Sequence, residues 1–358
     1  MADLYESLVA ADTAGLFHVS DARPGIRRLR RGKGFSYVDA DGRTLGADER
    51  ARIASLAIPP AWTDVWICPS PDGHILATGR DDKNRKQYRY HPRWREVRDG
   101  DKYDRLGRFG RALPELRTRL EDDLAQRGLG ERKVLAAVVS LLDETLVRIG
   151  NDEYKATNDS YGLTTIGEDH VTVRGSQVRF DFRAKSGVEQ TVAVSDARLA
   201  AIVKRCAELP GEDLFAFTAE DGRVVDVTST HVNEYLRAVT GDAFTAKDFR
   251  TWGGTVVAAE ALVAAGPTET RKAQEAAVLE AIDTAAGKLN NTRAVARSCY
   301  VHPGVPEAYR DGTLAEVWRR ARGRHRFSRP EVAVLTVVEA SEQVLPTATA
   351  DEGCSAAS

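Results

Sequence analysis

Near residue 100 the spacing of apolar residues changes, and that change limits the fold more than any single motif does. Upstream, short runs alternate at period two: Phe35-Ser-Tyr-Val38 before Asp39-Ala-Asp-Gly42, then Val65-Trp-Ile67, a Pro-Ser-Pro-Asp-Gly turn, and His74-Ile-Leu-Ala-Thr78. The pattern predicts a small β-rich domain over residues 1–100, interrupted by one helix at 47–56 that runs into Pro59-Pro60.

Downstream the period becomes helical. Leu113, Leu116, Leu120 and Leu124 lead to Gly128, and Val134, Leu135, Val138, Leu141, Leu142, Leu146 and Ile149 share one face of a second helix. Gly150 reads as the stop of that helix, which places Arg148 in its last turn. A meander follows: Val171 and Val173, then Val178, Phe180 and Phe182, then Gln190–Val194, with Lys185-Ser-Gly187 turning between the last two strands. Helices are expected at about 196–208, 229–239, 247–265, 268–288 and 305–322, with Ser195 and Ser229 as caps, and one more at 328–345. The tail 346–358 is small and polar and reads as disordered. The expected class is therefore α+β: a β-rich domain at 1–100 and a larger, mainly α domain at 101–345 holding a three-stranded sheet.

With 358 residues, about two domains are expected, and 42% hydrophobic residues suffice for their cores. A net charge of -2 excludes a uniformly basic nucleic-acid coat, so any such surface must be local. Cys68, Cys206, Cys299 and Cys354 are far apart and form no Cys-x-x-Cys pair, which indicates neither a zinc knuckle nor a disulfide framework. No secretory leader and no membrane span are read, so a cytoplasmic location is expected.

Local charge is concentrated in Gly79–Arg98, where eight cations face Asp81, Asp82 and Glu96. Lys83, Arg85 and Lys86 could hold phosphates while Gln87, Tyr88 and Tyr90 reach base edges or sugars, though a solvated charged loop would look similar. Arg148-Ile-Gly-Asn151 continues into Tyr154 and Asn158-Asp-Ser-Tyr-Gly162; Arg148 could serve a site or merely complement a helix end. Lys185 could be an ordinary turn residue or a mobile proton donor, and Arg250 of Lys247-Asp-Phe-Arg250 could snorkel at a surface. Tyr300 stands nine residues after Asn291 among further arginines. A tyrosine can attack a phosphodiester when cations stabilise the extra negative charge of the transition state; otherwise it is a core residue. His302 carries no assignment.

Together these motifs, in this order, resemble the type IB DNA topoisomerases of the compact poxvirus-like and bacterial branch, over nearly the whole chain. The resemblance implies that Tyr300 forms a 3′-phosphotyrosyl link, that Arg148 and Arg250 bind the non-bridging oxygens, and that Lys185 protonates the leaving 5′-oxygen. It implies ATP-independent relaxation of double-stranded DNA by a monomer closing as a clamp, with no cofactor. The family often has histidine where Asn291 stands; asparagine still donates a hydrogen bond but cannot ionise. A tyrosine recombinase shares the Arg, Lys, Arg, Tyr logic, but its usual His-x-x-Arg is Lys247-Asp-Phe-Arg250 here. A non-catalytic DNA clamp is the reading if Tyr300 is buried.

Overall fold

The computed structural model describes residues 2–32, 34–151, 155–156 and 159–344. Tyr154, Asn158, the side chain of Arg98 and the tail 346–358 lie outside the described residues. The chain divides into two compact units, Met1–Lys102 and Tyr103–Ser358.

The first unit opens with α1 (Ala2–Thr13), a helix absent from the sequence reading. An antiparallel sheet of order β2-β1-β3-β4-β5 follows: β1 (Ile26–Arg31), β2 (Gly34–Val38), β3 (Thr63–Ile67), β4 (Ile75–Arg80) and β5 (Lys86–Tyr90). One face of it buries Ile26, Val65, Ile67 and Ala77 against Ile53 of α2 (Ala47–Ser55). β1 also escaped the sequence reading, because four arginines in six residues hide its alternation. Helix α3 (Pro92–Leu124) contains the boundary between the units.

In the second unit α4 (Glu131–Thr145) is buried on nearly every side, from Val134 through Val139 and at Leu141 and Leu142, so it is a central helix rather than an amphipathic one. The expected three-stranded sheet is present as β6 (Val171–Arg174), β7 (Gln177–Ala184) and β8 (Val188–Ser195). Val178, Phe180, Phe182 and Ala184 of β7 point into the core at strict alternation. A hairpin of β9 (Ala216–Thr218) and β10 (Val224–Asp226) separates α5 (Ala197–Cys206) from α6 (Ser229–Thr240).

The caps of α5 and α6 are Asp196, one residue after Ser195, and Thr228, one residue before Ser229, because their side chains accept the free N–H groups of the first turn. The rest is helical: α7 (Ala246–Ala265), α8 (Arg271–Lys288), α9 (Arg293–Cys299), α10 (Gly304–Arg310), α11 (Thr313–Arg320) and α12 (Arg329–Val344). The single helix expected at 305–322 is two, broken where Gly312 adopts φ 83°. Among the described residues no helix is long and apolar enough to cross a membrane.

Candidate active site

Two helix ends in the second unit build the site. α4 stops at Thr145, not at Gly150, so Arg148 lies beyond the helix rather than in its last turn. Thr145 Oγ1 donates to Leu141 O and accepts the Val147 N–H at 3.3 Å, while Leu146 turns left-handed at φ 58°. The apolar period outlasts the helix because Leu146 and Val147 remain buried in the loop. The segment then lies against 161–165: the N–H groups of Leu163 and Thr164 donate to Arg148 O at 2.9 Å and Ile149 O at 2.7 Å. A Cβ on Gly162 would stand 2.4 Å from Gly150 N, and Gly150 adopts φ 107°, which explains a glycine in each half of this motif.

The second end is that of α8, where Asn290 adopts φ 51° and the Asn291 N–H returns to Ala286 O at 2.9 Å. Arg250 of α7, 3% exposed, donates through Nη1 to Leu146 O and through Nη2 to Leu289 O at 2.8 Å. Arg148 Nη2 donates to Asn291 Oδ1 at 2.5 Å and to Asn290 O at 3.3 Å. Two guanidiniums thus tie the same two chain segments together. Tyr300 ends α9 with its ring centre 5.0 Å from Arg250 Cζ, and its carbonyl accepts the Thr255 hydroxyl at 3.2 Å.

Burial depresses the pKa of Arg148, the charge of Arg250 adds to this, and Tyr300 partly offsets it. Burial depresses Arg250 likewise, again offset by Tyr300. Neither arginine has a carboxylate partner among the described residues, and three buried donors find no acceptor there: Arg148 Nη1, Arg250 Nε and Asn291 Nδ2. Desolvated cations and donors of this kind make an anion site.

Residues 91–316 match the family model of the eukaryotic DNA topoisomerase I catalytic core, and residues 34–81 match that of the bacterial DNA topoisomerase IB N-terminal domain. Over 295 residues the chain is 30% identical to DNA topoisomerase 1B of Acanthamoeba polyphaga mimivirus, covering 80% of this chain and 88% of that relative. The chain belongs to the type IB DNA topoisomerases.

In this topoisomerase Arg148, Arg250, Asn291 and Tyr300 meet, whereas Lys185 stands exposed at the tip of the β7–β8 hairpin, in a single 3-10 turn. The hairpin is nonetheless registered to the site: the Tyr161 N–H donates to Arg183 O at 2.8 Å, and residues 161–165 in turn hold the Arg148 segment. His302 is buried, with Nδ1 accepting the Gly304 N–H at 3.0 Å. The sequence reading missed Gly254 and Thr255, which pack against the backbone of Tyr300; Trp252-Gly-Gly-Thr255 was the available signal.

The topoisomerase's candidate DNA contacts gather on the β4–β5 hairpin of the first unit, where the charges of Arg85 and Lys86 are engaged. Asp81 accepts from Arg85 Nε at 2.8 Å and Gln87 Nε2 at 2.9 Å, and from the N–H groups of Lys83 and Arg85. The Arg85 side chain foremost, with those N–H groups, holds the Asp81 carboxyl down at about 2. Lys86 pairs with Asp21 at 2.6 Å. Tyr88, 39% exposed, stacks on Tyr90 with ring centres 5.6 Å apart. The period of two puts Lys86, Tyr88 and Tyr90 on one face of the sheet and Gln87 on the other.

Proposed function

We propose that this topoisomerase relaxes positive and negative supercoils by transient single-strand cleavage, rotation and religation through a 3′-phosphotyrosyl intermediate. The Tyr300 oxygen gives up its proton to solvent and forms the new bond to phosphorus while the P–O5′ bond breaks, with Lys185 giving its proton to the departing oxygen. Arg148 and Arg250 bind the non-bridging oxygens, and Asn291 donates a further hydrogen bond while orienting Arg148. The ester conserves the energy of the broken linkage, so attack by the 5′-hydroxyl reseals the strand without a nucleotide. The two units close on the duplex as a clamp within a monomer, and DNA affinity falls steeply with salt.

The observation that carries this reading is the desolvated Arg250 guanidinium beside the half-buried Tyr300 ring, with Arg148 braced through Asn291. Partial exposure of Tyr300 disfavours a clamp without chemistry, and Lys247 in place of a recombinase-type histidine disfavours recombination. The test is incubation with plasmid of either supercoil sign in EDTA, followed by denaturation to trap a 3′-linked protein. Tyr300→Phe should bind DNA normally yet yield neither adduct nor relaxation; relaxation by that variant would exclude the mechanism.

A further inference from the structure

Strand β1, Ile-Arg-Arg-Leu-Arg-Arg, carries charge that no function above uses. Its alternation divides the arginines. On one face Ile26 joins the core and Arg28 turns inward, donating to the carbonyls of Ile58 at 3.5 Å, Pro59 at 3.1 Å and Trp62 at 2.6 Å and lying 4.1 Å from the Phe35 ring centre. Arg30 belongs to that same face, since it pairs with Phe35 in the register with β2.

The opposite face presents Arg27, Leu29 and Arg31, all exposed, with Leu29 at 39%. The register carries this face across the sheet: Arg27 pairs with Trp66 of β3, Trp66 with Thr78 of β4, and Thr78 with Tyr88 of β5. Arg27 and Tyr88 therefore lie in one cross-strand row, three strand spacings or about 14 Å apart, and Lys86 shares their face. Between them Thr78 is buried with its hydroxyl donating to Asp21, and Trp66 Nε1 donates to Arg23 O, so residues 21–23 cover the middle of the row.

The two ends of this face differ in charge balance. Lys86 is paired with Asp21 and Arg80 with Asp64. Among the described residues Arg27 and Arg31 have no acidic partner. Two arginines rooted about 13 Å apart along the strand backbone, flanking an exposed leucine and not neutralised by an acidic side chain, are available to an external anion.

We propose that Arg27 and Arg31, with Leu29 between them, form a second phosphate-binding strip on β1, at the far end of the sheet face that carries Tyr88 and separated from it by residues 21–23. The proposal rests on the reading of the protein as a DNA-acting enzyme. The ligand is the sugar–phosphate backbone of duplex DNA: the guanidiniums take phosphates and Leu29 lies along sugars, so the strip adds affinity and orientation without reading sequence.

Binding of a short duplex is measured against KCl concentration in the Tyr300→Phe background, which separates the result from catalysis. Arg27→Gln/Arg31→Gln should lower the magnitude of the salt slope by about two, one for each phosphate that is no longer neutralised. Arg30→Gln, on the other face of the same strand, should leave it unchanged. An unchanged slope in the double variant, or an equal loss per charge in Arg30→Gln, overturns the strip. Adduct formation by Arg27→Gln/Arg31→Gln with Tyr300 intact should persist at low salt. Absence of adduct from every Tyr300-containing protein would sink the cleavage mechanism while leaving the slope comparison valid.

Discussion

Gly254 lies directly against Tyr300: a Cβ there would stand 3.0 Å from Tyr300 O, 3.3 Å from Tyr300 Cβ and 2.8 Å from Leu289 Cδ1. Alanine at 254 should gain about 1 kcal/mol in helix propensity, so a net loss reports the collision. Gly254→Ala should lose about 1–3 kcal/mol of stability and slow adduct formation while DNA binding persists. Wild-type cleavage rates in this variant, followed by adduct trapping, would show that the glycine does not position the tyrosine.

Asn291 both accepts from Arg148 and holds a buried donor without an acceptor among the described residues. Replacement by alanine removes the donor and releases the arginine. Single-turnover cleavage by Asn291→Ala should fall about 10²–10³-fold with little change in affinity. A comparable drop in affinity would place Asn291 in substrate binding rather than in stabilising the transition state.

Lys185 is assigned to the leaving oxygen, and its proton matters only when that oxygen is a poor leaving group. Lys185→Ala should cleave an ordinary duplex at least about 100-fold more slowly, yet recover most of the rate when sulfur replaces the bridging 5′-oxygen. Equal defects on both substrates would remove the general-acid role.

His74 gives the first unit an acid-sensitive core. It is stacked on His18 at 4.3 Å, packed 4.6 Å from Trp94, and accepts the Val19 N–H through Nδ1 at 3.0 Å. Burial first, then the charge of His18, pushes its pKa down to about 4 from 6.5. A depressed histidine is neutral when folded and takes up a proton on unfolding. Its contribution is complete above pH 6.5 and drains away as the pH falls toward 4, worth roughly 1–2 kcal/mol after solvent screening. The urea midpoint should drop between pH 6.5 and 5, and His74→Gln, which can still accept from Val19, should flatten that drop. An identical slope in both proteins would show that His74 is not the titrating group.

The sheet, the meander and most helices were legible in the sequence because their apolar residues keep a clean period, as in Val178-Arg-Phe-Asp-Phe182. Strand β1 was not, because Arg28 fills an inward position by bonding to carbonyls instead of by being apolar. The end of α4 was misplaced because burial continues through Val147 while the helix does not. All four residues that meet in the site were readable as residue types, whereas their mutual support was not: apart from the Arg148–Asn291 side-chain bond, it runs through the main-chain carbonyls of Leu146, Leu289 and Asn290, which carry no signature in a sequence.

The double attachment of Arg250, to the end of α4 and to the end of α8, changes how its removal should be understood. An alanine there deletes a charge and also unties two loops, so its defect sums two injuries. Lysine at 250 restores the charge but can satisfy only part of that bracing. The difference between these two substitutions therefore weighs the arginine as scaffold against the arginine as reagent.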